Sequence, residues 1–373
     1  MLRAGIIGLG KMGLSHQSIV NVHPDIQLKA VCDTSGYVLD VLSKYTGVKT
    51  YTNYEKMLAE EELDCVFVAT PSTYHAAIVA ASLERNLHVF CEKPFALEPE
   101  AGFRLADMAE RKRLVNQVGY HYRFIATFNE AKRLLDRRII GELHHVRAEA
   151  YGPVVLRPAG STWRSVKSEG GGCLYDYSCH AIDLLNYLIG RPTYVSGTVL
   201  NSVFSNDVDD EIYSTFQFSK GFYGQLATNW SDESFRKMSV KLSLWGANGR
   251  INVDRQEIQI YIRALPEPAE HFTQGWNVRY TTELSRPVWF YMRGEEYSAQ
   301  IDHFAQCIKT GATAISTFRT ASDTALVASM MRQDAKKALT AVGLHGSQTL
   351  SATASVSPQR GTKSFMRALL DRL

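Results

Sequence analysis

The stretch Gly8-Leu9-Gly10-Lys11-Met12-Gly13 follows an apolar run, Arg3–Ile7, and leads into a helical pattern that reaches about Val20. G-x-G-x-x-G alone is a weak signal. Set between a strand and a helix, it predicts a βαβ unit built around a phosphate-binding turn. Gly8 allows the tight turn, Gly10 lets the backbone approach a pyrophosphate, and Gly13 lets the helix lie close on the strand. The start of that helix offers free N–H groups and the positive end of its dipole. A second strand, Gln27–Cys32, ends at Asp33, where an acid is expected to hold ribose hydroxyls. Its charge repels a 2′-phosphate, and Thr34, Ser35 and Gly36 bring no arginine to offset it. The expected dinucleotide is therefore NAD rather than NADP.

The same alternation continues through the first third of the chain. Val38–Lys44 reads as helix, Cys65–Ala69 as strand, Tyr74–Leu83 as helix, His88–Cys91 as strand, Glu98–Arg111 as helix and Val115–Val118 as a last strand. Near-continuous apolar strands alternating with helices predict a parallel sheet covered on both faces. Thr70, Pro71 and His75 fall at the carboxyl end of one such strand, where ligands of these sheets bind. Ser72 also suits a helix N-cap, and His75 either touches the cofactor or covers the helix start. From about Tyr122 the pattern changes. After a helix near Phe128–Arg137, alternating runs at 141–152, Tyr194–Leu200, Glu211–Phe218, Gly221–Asn229, Ser239–Gly246 and Arg250–Val253 are separated by turns. They predict an antiparallel sheet with one covered face. Residues 297–342 read as helix again. Residues 343–362 read as a loose tail, followed by a short amphipathic helix over Lys363–Leu373.

A chain of 373 residues exceeds one ordinary core, so two domains are expected. The divisions fall at 1–122, 123–342 and 343–373. A net charge of +3 gives no reason to expect nucleic acid or an anionic membrane surface as partner. None of the six cysteines forms a C-x-x-C pair, which suits a reduced, cytoplasmic protein without disulfides. There is no basic leader before an apolar core and no apolar run long enough to span a bilayer.

Two further stretches carry chemistry. In HVFCEKPFAL, residues 88–97, a buried strand ends abruptly in Glu92, Lys93 and Pro94. This is either a solvated charge at a strand end or an amine held in a fixed place. In EGGGCLYDYSCHAIDLLNYLIG, residues 169–190, Asp176, His180 and Asp183 interrupt an apolar helical pattern. Asp176 and His180 are four apart and share a helix face. The pair is either a buried histidine satisfied by its neighbour, which spacing alone favours, or an acid–base group steered by a carboxylate. Cys173, Cys179 and His180 match no common zinc spacing, so no metal is expected.

With both motifs in view, the sequence resembles the Gfo/Idh/MocA family of sugar oxidoreductases over residues 1 to about 342. Glu92-Lys93-Pro94 and the Asp-x-x-x-His-x-x-Asp pattern ending at Asp183 are its hallmarks. Gly119–Phe124, Trp163-Arg164 and Gln300–Phe304 match further recurrent segments. The resemblance implies an N-terminal Rossmann domain with a doubly wound parallel sheet, and a C-terminal α+β domain with a large, open, mostly antiparallel sheet. It implies hydride transfer between NAD and a secondary hydroxyl or ketone of a sugar, sugar derivative or cyclitol. Lys93 would polarise the reacting oxygen, with Pro94 often held cis in similar proteins. His180 would act as general acid/base, and Asp176 would orient the substrate or balance the two. Cofactor contacts are assigned to Gly8, Gly10, Lys11, Met12, Asp33, Thr70, Pro71, His75, Glu92, Lys93, Trp163 and Arg164. Substrate contacts are assigned to Lys93, His121, Arg123, Asp176, Tyr177 and His180. Arg123 and Arg164 either anchor hydroxyls or an anionic substituent, or form ion pairs.

The chain departs from the family at Ser178, where glycine is frequent, at the bulky Tyr177 and Cys179, and in the long segment 264–296. Two alternatives share the motifs: a glycosidase that recycles NAD through transient oxidation, and a non-catalytic dinucleotide sensor. Sensors tend to lose the lysine or the Asp/His pair, which this chain keeps. A homodimer or homotetramer, paired through the open sheet face, is expected.

Overall fold

The computed structural model describes residues 1–155, 163–265, 271–288 and 290–341. The expected tail beyond 343, its short helix, and parts of the segment 264–296 lie outside the described residues. Two sheets organise the rest.

The first sheet is built from β1 (Leu2–Ile7), α1 (Lys11–Val22), β2 (Ile26–Cys32), α2 (Gly36–Thr46), β3 (Lys49–Tyr51), α3 (Tyr54–Glu60), β4 (Cys65–Val68), α4 (His75–Glu84), β5 (His88–Cys91), α5 (Pro99–Arg111) and β6 (Asn116–Val118). Its six parallel strands run in the order β3-β2-β1-β4-β5-β6. Every residue of β4 is buried, as a strand covered on both faces requires. The order reverses between β1 and β4, which opens a crevice at their carboxyl ends. The sequence reading missed β3 and α3. Lys-Thr-Tyr is too short to show a period, and pairing with β2 at the sheet edge makes it a strand.

The remaining elements are α6 (Ala126–Asp136), β7 (Leu143–Tyr151), α7 (Cys179–Ile189), β8 (Tyr194–Asn201), β9 (Glu211–Gln217), β10 (Tyr223–Asn229), β11 (Ser239–Gly246), β12 (Gly249–Val253), β13 (Glu257–Ile262), β14 (Gly275–Tyr280), α8 (Thr281–Leu284), α9 (Glu295–Thr310) and α10 (Phe318–Ala341). The eight strands run β14-β13-β12-β11-β7-β10-β9-β8, all antiparallel except β7 with β10. One face, with Val146, Ile212, Phe216, Leu226, Leu242 and Ile260, is buried in a core shared with α6 and α7. The other face carries a register-matched row across all eight strands: Tyr194, Gln217, Tyr223, His145, Trp245, Arg250, Tyr261 and Trp276. Part of the segment 264–296 supplies the edge strand β14 and α8.

The packing crosses the expected division at residue 122. Ile301, Phe304 and Ala305 of α9 belong to the core beneath β1 and β4, and Phe304 packs edge-on against Phe67 and Phe90. Phe318 at the start of α10 stacks on Phe95 at 4.2 Å. The return helices therefore complete the first domain, because the apolar sheet face left by the first 122 residues still needs cover.

Candidate functional site

The glycine loop lies at the crevice. Gly8 adopts φ +93°, and a Cβ there would come within 2.7 Å of the Ala69–Thr70 backbone at the end of β4. A Cβ on Gly13 would fall 1.9 Å from the Gly8 carbonyl oxygen. Above Gly10 there is open space, and no side chain caps the first turn of α1. The Asp33 carboxylate accepts from the Leu9 N–H at 2.6 Å and from the Ser35 N–H at 2.8 Å. An ionised carboxylate has about four acceptor positions, so it braces the loop and still has room for ligand hydroxyls. Thr70 Oγ1 is buried with no hydrogen-bond partner at the end of β4. Uncapped N–H groups, an open glycine, an acid and an orphan hydroxyl together fit a dinucleotide.

Beyond β5, Glu92 is buried and its Oε1 lies 2.7 Å from His16 Nε2, while Oε2 accepts the Lys93 N–H at 3.1 Å. Burial would raise the Glu92 carboxyl, but the His16 contact and nearby positive charge bring it below its ordinary value. The Lys93–Pro94 bond is cis. Lys93 Nζ donates to Asp176 Oδ1 at 2.7 Å and to the Asp176 carbonyl at 3.1 Å. Arg164 Nε donates to Asp176 Oδ2 at 2.7 Å. The carboxylate thus sits between two cations. Burial alone would raise Asp176, but Lys93 and then Arg164 outweigh it and bring its carboxyl to about 2. Burial would lower the Lys93 amine, and Asp176 more than compensates, so it stays charged above its ordinary range. Of three ammonium donors, two are used and one is free for a ligand oxygen.

Local geometry decides how Asp176 and His180 are presented. Leu174–Ser178 winds as a π-helical turn that runs into α7, instead of the continuous α-helix that the four-residue spacing implied. The wider turn turns Asp176 toward Lys93, and no hydrogen bond joins Asp176 to His180. Such insertions recur at functional sites. His180 lies within the rings of Tyr120, His121 and Tyr122, at 6.0, 5.0 and 5.2 Å. Its Nδ1 is buried without a partner. Burial, then the Lys93 charge, hold it neutral well below the ordinary histidine value. His121 stacks on Tyr297 at 4.6 Å, and burial pushes its pKa down to about 3.

Two matches follow on that geometry. Residues 2–120 match the Gfo/Idh/MocA oxidoreductase family, NAD-binding Rossmann fold, and residues 128–252 match its C-terminal domain. The chain belongs to the Gfo/Idh/MocA family. Among relatives of the family, scyllo-inositol 2-dehydrogenase (NAD(+)) of Bacillus subtilis (strain 168) is 25% identical over 325 residues, 85% of this chain and 89% of that protein. D-glucoside 3-dehydrogenase of Escherichia coli (strain K12) is 27% identical over 248 residues, 62% of this chain and 70% of that protein. A solved structure of levoglucosan dehydrogenase with NADH superimposes with a TM-score of 0.81 at 23% identity, covering 90% of this chain and 97% of that one, and shows the shared fold.

Within this family frame the predicted residues divide. Lys93, Asp176, Arg164 and the neutral His180, which feels the Lys93 charge, form one cluster with His121 beside it. Trp163 lies under the Arg164 guanidinium at 5.0 Å. Tyr177 packs in the core against Trp230 and Gly152. Arg123 is only 2% exposed and grips Asp183 with two bonds, at 2.8 and 2.6 Å, and the Ile315 carbonyl with a third. It ties the entrance of the second domain to α7, and its donors are committed there rather than to a substrate. His75 has both ring nitrogens against carbonyls, Pro94 O at 3.0 Å and Thr70 O at 2.9 Å. It laces the two ligand loops together from below. The reading missed His16, three residues past Gly13. Its signal was a polar ring on the buried face of an apolar helix, which demands a partner.

Proposed function

We propose that this protein is an NAD-dependent oxidoreductase acting on a secondary hydroxyl or the corresponding ketone of a sugar, sugar derivative or cyclitol. The observation that carries the reading is the free donor of Lys93, an ammonium locked onto Asp176 at 2.7 Å beside a neutral, buried His180. Gly8, Gly10, Lys11 and Met12 would hold the pyrophosphate, Asp33 the ribose, and Thr70, Pro71, Glu92, Trp163 and Arg164 would border the cofactor. A bound nicotinamide supplies the acceptor or donor for the hydride at the substrate carbon. Lys93 donates a hydrogen bond to the substrate oxygen and stabilises negative charge as it develops. His180, uncharged, takes the hydroxyl proton in oxidation and returns it in reduction. Asp176 keeps Lys93 charged and in place. Asp33 favours NAD over NADP by repelling a 2′-phosphate. The row of aromatics on the open sheet face, with Tyr223 at 54% and Trp276 at 53% exposure, supports pairing of two such sheets in a homo-oligomer.

The test is a screen with NAD against sugars, cyclitols, nucleotide sugars and aryl glycosides, reading NADH and aglycone in the same wells. NADH should accumulate with a class of polyols, and Lys93→Ala should abolish it while binding NAD almost as before. Aglycone release without net NADH would refute the dehydrogenase reading in favour of a closed redox cycle. Light scattering at micromolar concentration should report at least a dimer.

A further inference from the structure

The charged groups around Lys93 and His180 pair off in turn. Glu92 meets His16, Asp176 lies between Lys93 and Arg164, and Glu296 meets Arg255 at 2.8 Å. Lys11 stands at the first turn of α1, where a pyrophosphate brings compensating charge, and the positive charges that act on it are Arg293, Arg164 and Lys237, in that order. Arg293 is left over. Among the described residues no carboxylate and no hydrogen-bond acceptor takes its guanidinium.

Its backbone is unusual as well. Arg293 sits at φ +63°, a left-handed conformation that a residue with a Cβ adopts at a cost. Gly294 follows at φ +144°, and a Cβ on it would lie 2.3 Å from Glu296 Oε2 and 2.4 Å from Arg255 Nη2. The Arg255–Glu296 pair, with its carboxylate buried, therefore fixes the turn that carries Arg293. The guanidinium lies over the Tyr297 ring at 5.6 Å, Tyr297 stacks on His121 at 4.6 Å, and His121 meets His180 edge-on at 5.0 Å. An unpaired cation is thus held, against backbone preference, at the far end of a ring stack that begins at the proposed acid–base group.

We propose that Arg293 receives an anionic substituent of the substrate, a carboxylate or phosphate remote from the reacting carbon, and so selects acidic sugar or cyclitol derivatives over neutral ones. The inference rests on the oxidoreductase reading above. A guanidinium matches both anions with paired N–H donors, and the exposed Arg293 spends its charge on no carboxylate among the described residues.

The experiment compares kcat/KM with NAD for matched pairs: a hexopyranoside and its uronate, and a hexose and its 6-phosphate. The anionic member of at least one pair should be preferred by about tenfold or more, with the margin shrinking in high salt. Which pair responds separates carboxylate from phosphate. Arg293→Gly removes the charge and relieves the positive φ, so the variant should melt no earlier than the parent while losing most of the preference through KM. Arg293→Lys should keep part of it. Equal or better use of the neutral members would overturn this proposal and leave the oxidoreductase reading intact. Loss of NAD affinity in Arg293→Gly as large as the loss of substrate affinity would overturn it too, by assigning the arginine to the cofactor. Failure of all four while the wider screen yields a neutral substrate would overturn this proposal alone, and failure across the whole screen would remove both readings.

Discussion

Asp176→Asn gives the most direct test of the charge arrangement at Lys93. The amide keeps the shape of the carboxylate but removes the charge that faces Lys93 and Arg164, each at 2.7 Å. In the native protein the Asp176 carboxyl falls from 3.8 to about 2. That shift corresponds to about 2 kcal/mol of stability, present above pH 4 and lost as pH falls toward 2. Removing one member of a buried pair also strands the other, which raises the expected cost to about 3 kcal/mol. The larger consequence is functional. Burial and the Arg164 charge both push the Lys93 amine down, and Asp176 is the main group that holds it up. In the variant the amine loses its proton at far lower pH, so the hydrogen-bond donor disappears as pH rises. Turnover should fall by about a hundredfold or more at high pH, the usual scale for losing a donor to a developing oxyanion. It should partly recover as pH is lowered toward neutrality. Steady-state kinetics from pH 6 to 10 on a substrate found in the screen, with thermal melts alongside, read both effects. A variant with native turnover and a flat profile to pH 10 would refute the assignment of Lys93 as a donor kept charged by Asp176.

Further outcomes are expected elsewhere. His180→Ala should lower kcat far more than NAD affinity, and in the parent the acidic limb of the rate profile should lie well below pH 6.5, because burial and Lys93 keep His180 neutral. Asp33→Ala should weaken NAD and narrow its margin over NADP, read by titration with both; it should also loosen the glycine loop through the lost Leu9 contact. Arg123→Ala leaves Asp183 buried and unpaired, so denaturant unfolding should show a loss of about 3–5 kcal/mol. His75, His121 and His180 are all buried with lowered pKa values. The unfolded chain binds protons at these sites first, so stability should drop as pH falls below 6.5, by up to about 4 kcal/mol per pH unit for the three together. A stability curve level from pH 6.5 to 5 would contradict that.

Much of the architecture was legible because its causes are local. Strands buried on both faces must be apolar throughout, and Cys65–Val68 and His88–Cys91 show it without any partner in view. The glycine loop is readable for the same reason: Gly8 and Gly13 have no room for a Cβ, so only one residue type serves. Asp33 at the end of β2 follows from strand length alone. Lys93 could be singled out by the abrupt charge after an apolar strand, and the family resemblance gave it a role.

Other features depend on contacts between distant parts of the chain. The four-residue spacing of Asp176 and His180 suggested one helix face; the π-helical turn, set by packing of 174–178 against the second sheet, sends the carboxylate to Lys93 instead. Arg123 looked available until Asp183, sixty residues on, took the Nε–Nη2 edge of its guanidinium and the Ile315 carbonyl took Nη1. Residues 295–318 complete the first domain although they lie far beyond it in sequence, since a parallel sheet must be covered on both faces and the nearest free apolar surface is on α9. The sequence by itself determined where the cofactor loop, the lysine and the histidine stand along their elements, because those depend on period and on space for a side chain. Which charges face one another, and which arginine is left without a partner, only the tertiary structure decided, because that depends on the distances at which two sheets bring separate segments together.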